Sequence, residues 1–163
     1  MLAGAALLLF TAPALALADR HDPAARAPAG VSTGTCTGGA NAYSVSTNLQ
    51  TTNARNYKDV TGTSVSFTQG AAGCAEVSFS AEAATVPGEL LLAQAVLDGK
   101  TVCAPAGNIF ASDSPSSDLA DHAMNYICPD VTAGAHTVKI QFRSRFGGKV
   151  ALDYRTTIVR YTP

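Results

Sequence analysis

The sequence predicts an all-β protein: an antiparallel β-sandwich, jelly-roll-like, preceded by a signal peptide. Three observations carry this. The segments "CAEVSFSAEA" and "AHTVKIQFRS" alternate apolar and polar residues with a period of two, as a strand with one buried face does. A nearly continuous apolar run ends on Asp98-Gly99, a pair suited to a two-residue hairpin turn. Many short apolar runs are separated by Gly, Pro, Asn and Asp at regular spacing.

At the N-terminus, "MLAGAALLLFTAPALALA" carries no charge. Its apolar core, Leu7 to Leu17, is shorter than the about 20 residues a membrane span needs and has the length of a signal-peptide core. Ala16-Leu17-Ala18 supplies small residues at a cleavage site, so the mature chain is expected to begin at Asp19 and to be secreted, or periplasmic. No Lys or Arg precedes the apolar core, which leaves open a start upstream of Met1. The expected division is 1–18 signal peptide, 19–40 flexible lead-in and 41–163 a single β-sandwich domain. The lead-in is rich in Ala, Pro, Gly, Ser and Thr and has no apolar period.

The strands follow in order. "YSVSTNL" alternates weakly, and "TSVSFTQ" puts Val65 and Phe67 on one face. In the next strand Ala75, Val77, Phe79 and Ala81 point inward, while Glu76, Ser78, Ser80 and Glu82 face water. "ELLLAQAVL" is apolar on both faces and is read as a strand because Asp98-Gly99 ends it. Its second face needs a loop, the lead-in or another subunit to cover it, which admits a homo-oligomer. A return strand is expected over Lys100 to Ala104, then a long loop over Pro105 to Asp121. "HAMNYICPDV" is expected to stop at Cys128-Pro129, since proline cannot donate to a ladder. His136, Val138, Ile140 and Phe142 share the buried face of the strand that follows, and Thr137, Lys139, Gln141 and Arg143 the wet one. In "KVALDYRTTIVRY" both parities are partly apolar, so its buried face stays unassigned.

Cys36, Cys74, Cys103 and Cys128 form an even set in a chain expected to be exported, which reads as disulfides. No two lie at zinc-ligand spacing and no histidine pairs with them. Four cysteines allow three pairings. The pairing expected is Cys103–Cys128, closing the long loop, and Cys36–Cys74, tying the lead-in to a strand.

Only 14% of residues are charged and the net charge is -1, so there is no basic excess to follow a nucleic-acid backbone. No segment after the leader could cross a membrane. Trp is absent, which counts mildly against a sugar-stacking platform.

Candidates for chemistry are sparse. His136 reads as a packed, hydrogen-bonded histidine, since no G-x-S-x-G or comparable signature accompanies it. Asp113, Asp118, Asp121 and His122 offer oxygen ligands for calcium, but their spacing matches no EF-hand loop. Glu76 and Glu82, six residues apart on one strand, stand roughly 20 Å apart, too far for a glycosidase pair. Arg143, Arg145, Lys149 and Arg155 form a basic cluster around one turn: a solvated rim, or a binding rim for an anionic glycan or acidic surface. No catalytic residue, metal or cofactor is expected.

The segments "GCAEVSFSAEA", "AVLDG", "CPDVTAGAHTVKIQFRS", "GGKV" and "RTTIVRY" resemble a group of uncharacterised exported bacterial all-β proteins over roughly Thr63 to Tyr161. The late G-x-H-T-V strand is similar to the broader C1q/TNF-type jelly-roll pattern. The resemblance implies a jelly-roll fold and no catalytic residue. The sequence thus leads to an exported, non-catalytic module for assembly or for binding another macromolecule, with glycan binding as the alternative and a hydrolase behind both.

Overall fold

A computed structural model describes residues 35–36, 38–112 and 118–163. The expected signal peptide, its expected cleavage site, most of the expected lead-in and Asp113 lie outside the described residues. Every regular element among the described residues is a strand: β1 Ala40–Ser46, β2 Gln50–Thr52, β3 Lys58–Asp59, β4 Val65–Gln69, β5 Gly73–Thr85, β6 Leu90–Leu97, β7 Thr101–Val102, β8 Asn108–Ser112, β9 Ala120–Val131, β10 Gly134–Ser144 and β11 Val150–Tyr161.

They form two antiparallel sheets. One runs β1-β11-β5-β9, with β2 also pairing β11; the other runs β3-β10-β6-β7, with β4 on β10 and β8 on β6. Chain-end strands pair inside the first sheet while β4, β10, β6 and β8 make the second, which is the jelly-roll order. The two inner faces meet in one core. β5 contributes Ala75, Val77, Phe79 and Ala81, and β10 contributes Val138, Ile140 and Phe142. These are the faces their alternation predicts, because a period of two leaves one side of each strand apolar.

The β6–β7 hairpin turns at Asp98 and Gly99, whose φ angles are 51° and 67°. Both are positive, as a type I′ turn requires. The return strand is shorter than expected: β7 spans two residues, and Ala104 instead bridges Ile127 of β9 in both directions, at 2.8 and 2.7 Å. That bridge and the Cys103–Cys128 disulfide join the sheets along one flank. The Cys36–Cys74 disulfide ties the segment before β1 to β5. Both pairs are those expected.

Three expectations change. The region Pro105 to Asp121 is not all loop, because β8 lies within it and docks on β6, burying Phe110 and Ala111. β9 does not stop at Cys128 but runs through Pro129 to Val131. Pro129 is tolerated because β9 is the edge of its sheet and a register shift beside Gly73 accommodates it. The second face of β6 is covered within the chain. Leu92 and Val96 are buried there, with Arg143 and Ile109 opposite Leu92, and Lys139 and Val102 opposite Val96. The stems of Arg143 and Lys139 supply apolar cover while their charges stay at the surface.

The ambiguity of β11 has a local cause. Its register shifts between Asp153 and Thr156, and Tyr154 there has a φ of 40°. Val150 and Leu152 face the core before this bulge; Arg155, Thr157 and Val159 face it afterwards. One extra residue swaps the faces of a strand, so both parities carry core residues.

Candidate functional site

Three places on the sandwich carry groups able to do chemistry or bind. The first is an open hollow of about 300 Å³ lined by Ser66, Phe67, Thr68, Asp98, Ala135, His136 and Thr137. The hairpin turn brings Asp98 against β10. Its Oδ2 lies 2.8 Å from His136 Nδ1, and its Oδ1 accepts the Thr137 amide at 2.8 Å. His136 Nε2 lies 2.9 Å from the Thr132 carbonyl. Both partners of the ring can only accept, so the arrangement favours the imidazolium. The hydrogen bond that His136 donates to Asp98 raises the His136 pKa above its ordinary value, against the opposing effect of burial. Burial works against the Asp98 carboxylate, but His136 and the Thr137 amide outweigh it and hold its pKa low. Neither ring nitrogen is left to take a proton from a nucleophile. The pair is a clasp between two turns.

The second place is the end of the sandwich at the β10–β11 turn. Glu89, only 2% exposed, sits beneath this turn. Its Oε1 accepts the amides of Leu90, Arg145 and Phe146 at 2.8–2.9 Å, and Oε2 accepts Gly148 at 2.5 Å. Burial pushes the carboxyl up, but these donors prevail and the pKa is lowered. Gly148 is required here, because a Cβ would come within 2.7 Å of Glu89 Oε2 and 2.8 Å of Val86. On the rigid turn, Arg145 lies over the Phe146 ring at 5.6 Å, and Phe146 is 52% exposed. Arg55, from the β2–β3 loop, donates to the Phe146 carbonyl at 2.6 Å. Arg143 lies over the Tyr57 ring at 5.1 Å and donates to the Arg55 carbonyl at 3.2 Å. Lys149, in the β10–β11 turn, is exposed.

Of the basic residues singled out in the sequence, Arg143 lies at the end of β10 and Arg145 and Lys149 follow in the turn, while Arg155 lies elsewhere. Arg155 is 0% exposed. The bulge turns it into the molecule, where it donates to Ser46 Oγ at 2.9 Å, to the Asn48 carbonyl and to the Leu152 carbonyl at 3.4 Å. Burial lowers its pKa. It braces the corner between β1 and β2 and belongs to no rim. Arg55, distant in sequence and set in a loop without periodicity, takes its place in the cluster.

The third place is the outer face of the β1-β11-β5-β9 sheet. Register puts Tyr43, Ile158, Ser78 and Asn125 in one row, and Val45, Thr156, Ser80 and Ala123 in the next. Tyr43 is 74% exposed, and Tyr154, thrust out by the bulge, 60%. Tyr154 lies four residues before Ile158, the partner of Tyr43, which sets the two backbone positions about 13 Å apart along the strands. Beyond them Asp153, Glu82 and Asp121 stand opposite one another. Among the described residues no group of three or more His, Cys, Asp or Glu is placed to hold a metal ion. The calcium candidates diverge: Asp121 faces outward, whereas His122 turns its ring toward Phe110 at 5.6 Å.

No family model matches the chain, and no curated protein matches it. Among solved structures it is similar to a carbohydrate-binding module, CBM6cm-2, of Cellvibrio mixtus lichenase 5A in complex with cellotriose. The identity is 14%, over 78% of this chain and 100% of that one, with a TM-score of 0.39. The C-terminal CBM6 of LamC, a marine laminarinase of Zobellia galactanivorans, gives 14% identity over 68% of this chain and 98% of that one, at a TM-score of 0.33. The CBM36-1 domain of a multidomain xylanase from the hindgut metagenome of Trinervitermes trinervoides gives 14%, 68%, 96% and 0.33 in the same order.

Proposed function

We propose that the chain is an exported, non-catalytic module that binds a glycan on the outer face of the β1-β11-β5-β9 sheet. The observation that carries this is the pair of exposed rings, Tyr43 and Tyr154, set along the strands beside Ser78, Ser80, Asn125 and Thr156. A sugar presents an apolar ring face and a polar rim. Exposed aromatic rings take the first, and short hydroxyl and amide side chains on a rigid sheet take the second without a large loss of side-chain entropy. Two exposed rings separated along the strand direction favour an extended chain lying along the strands. Two disulfides support an oxidising compartment.

Affinity gel electrophoresis and calorimetry against neutral polysaccharides test the reading. Tyr43→Ala is expected to weaken binding by about tenfold, the loss of one stacking contact, and to leave the unfolding midpoint unchanged. The same face would serve an interface between copies of the chain. Unchanged glycan binding together with a concentration-dependent mass that Tyr43→Ala abolishes would favour assembly.

A further inference from the structure

We infer that the β10–β11 end of the sandwich is a separate site for a carboxylate-bearing glycan, one built of uronic acid units. Arg55 and Arg143 meet there, Lys149 is exposed in the β10–β11 turn, and among the described residues none of the three has an ion-pair partner. The nearby acids are committed. Glu89 is held by four backbone amides. Asp59 takes Lys139 at 3.2 Å and Gln141 at 2.8 Å. The guanidinium contacts of Arg55 and Arg143 are to carbonyl oxygens and a ring face, which orient the groups without neutralising them. Such planar forks fit carboxylates two oxygens at a time.

The support is rigid. Glu89 fixes the turn, and Arg55 lies flat on Gly147, where a Cβ would come within 3.2 Å of its Nε. A preset cationic site loses little freedom on binding. The exposed ring of Phe146 offers a sugar face an apolar surface next to the charges. The ligand is thus an acidic sugar. A nucleic acid is disfavoured, because a net charge of -1 leaves no continuous basic track for a phosphate backbone. The site is independent of the tyrosine face and stands if that face binds nothing.

The experiment compares oligogalacturonate with its methyl-esterified form, which has the same rings without the charge. Calorimetry on the whole disulfide-bonded protein should give at least about tenfold tighter binding of the acid form, falling as salt rises. Lys149→Glu, at an exposed position that leaves the turn intact, should lower that affinity about tenfold, and Arg55→Gln should lower it as well. Tyr43→Ala should leave it unchanged. Equal affinity for the two oligomers would overturn the site. So would acid-form binding that survives Lys149→Glu with the unfolding midpoint intact, or binding that Tyr43→Ala removes.

Discussion

Phe142 has no exposed surface and Lys139, three positions earlier on β10, is exposed and paired with Asp59 at 3.2 Å. Alternation on a single strand made both assignments legible in the sequence. Phe142→Ala should therefore cost about 3–5 kcal/mol by leaving a cavity in a close-packed core. Lys139→Ala should cost under about 1 kcal/mol, as a screened surface pair does. Urea unfolding of both variants checks the pair, and the reverse order would mean the register is wrong. His136 was legible as a packed residue, but Asp98, 38 positions away, was not visible as its partner. Their clasp gives a pH signature. A raised His136 pKa adds stability that is full below the unfolded value of 6.5 and fades as pH rises through the folded value. A lowered Asp98 pKa adds stability present above 3.8 and lost as pH falls. The stability difference between wild type and His136→Gln should be greatest between those values and shrink on the alkaline side. A flat difference from pH 4 to 9 would show that the imidazolium adds nothing.

At the scale of elements, the turns and edges were less legible than the strands. The bulge in β11 changes which parity is buried, and no local pattern announces a shift between Asp153 and Thr156. Arg155 read as a surface cation for that reason. β8 was hidden because its apolar stretch is three residues long, too short to show a period. Glu89 was invisible because its partners are backbone amides, which carry no side-chain signature. It makes the β10–β11 turn one cooperative unit with the start of β6. Glu89→Gln places an amide donor among four donors, so it should cost about 1.5–3 kcal/mol, the range for hydrogen bonds to a charged group. The lowered pKa fixes the direction with pH. The contribution is full above 4.5 and is lost as pH falls through the folded value, so the variant and wild type should converge in acid. Unfolding midpoints at pH 7 and pH 3 measure both statements.

For the whole molecule, the jelly-roll order makes most partners distant in sequence, so the sheets depend on closures that no single strand provides. On one flank the closure is Ala104 bridging Ile127, with Cys103 and Cys128 beside it, both wholly buried. Before β1 the closure is Cys36–Cys74, whose cysteines are partly exposed. Each bridge should stabilise by about 3–4 kcal/mol through the loop it closes in the unfolded chain, because separations of 38 and 25 residues differ little on a logarithmic scale. Their chemistry should differ more than their energetics. Exchange requires a thiolate to reach a sulfur, and only Cys36–Cys74 is reachable while the sandwich is closed. Mild reductant under native conditions should open Cys36–Cys74 first, and Cys103–Cys128 should follow only at the rate of unfolding. Timed alkylation with peptide mass spectrometry reads the order. Simultaneous reduction would mean that the flank carrying Ala104 and Ile127 opens without global unfolding. Early loss of Cys103–Cys128 alone would show that this closure does not protect the core.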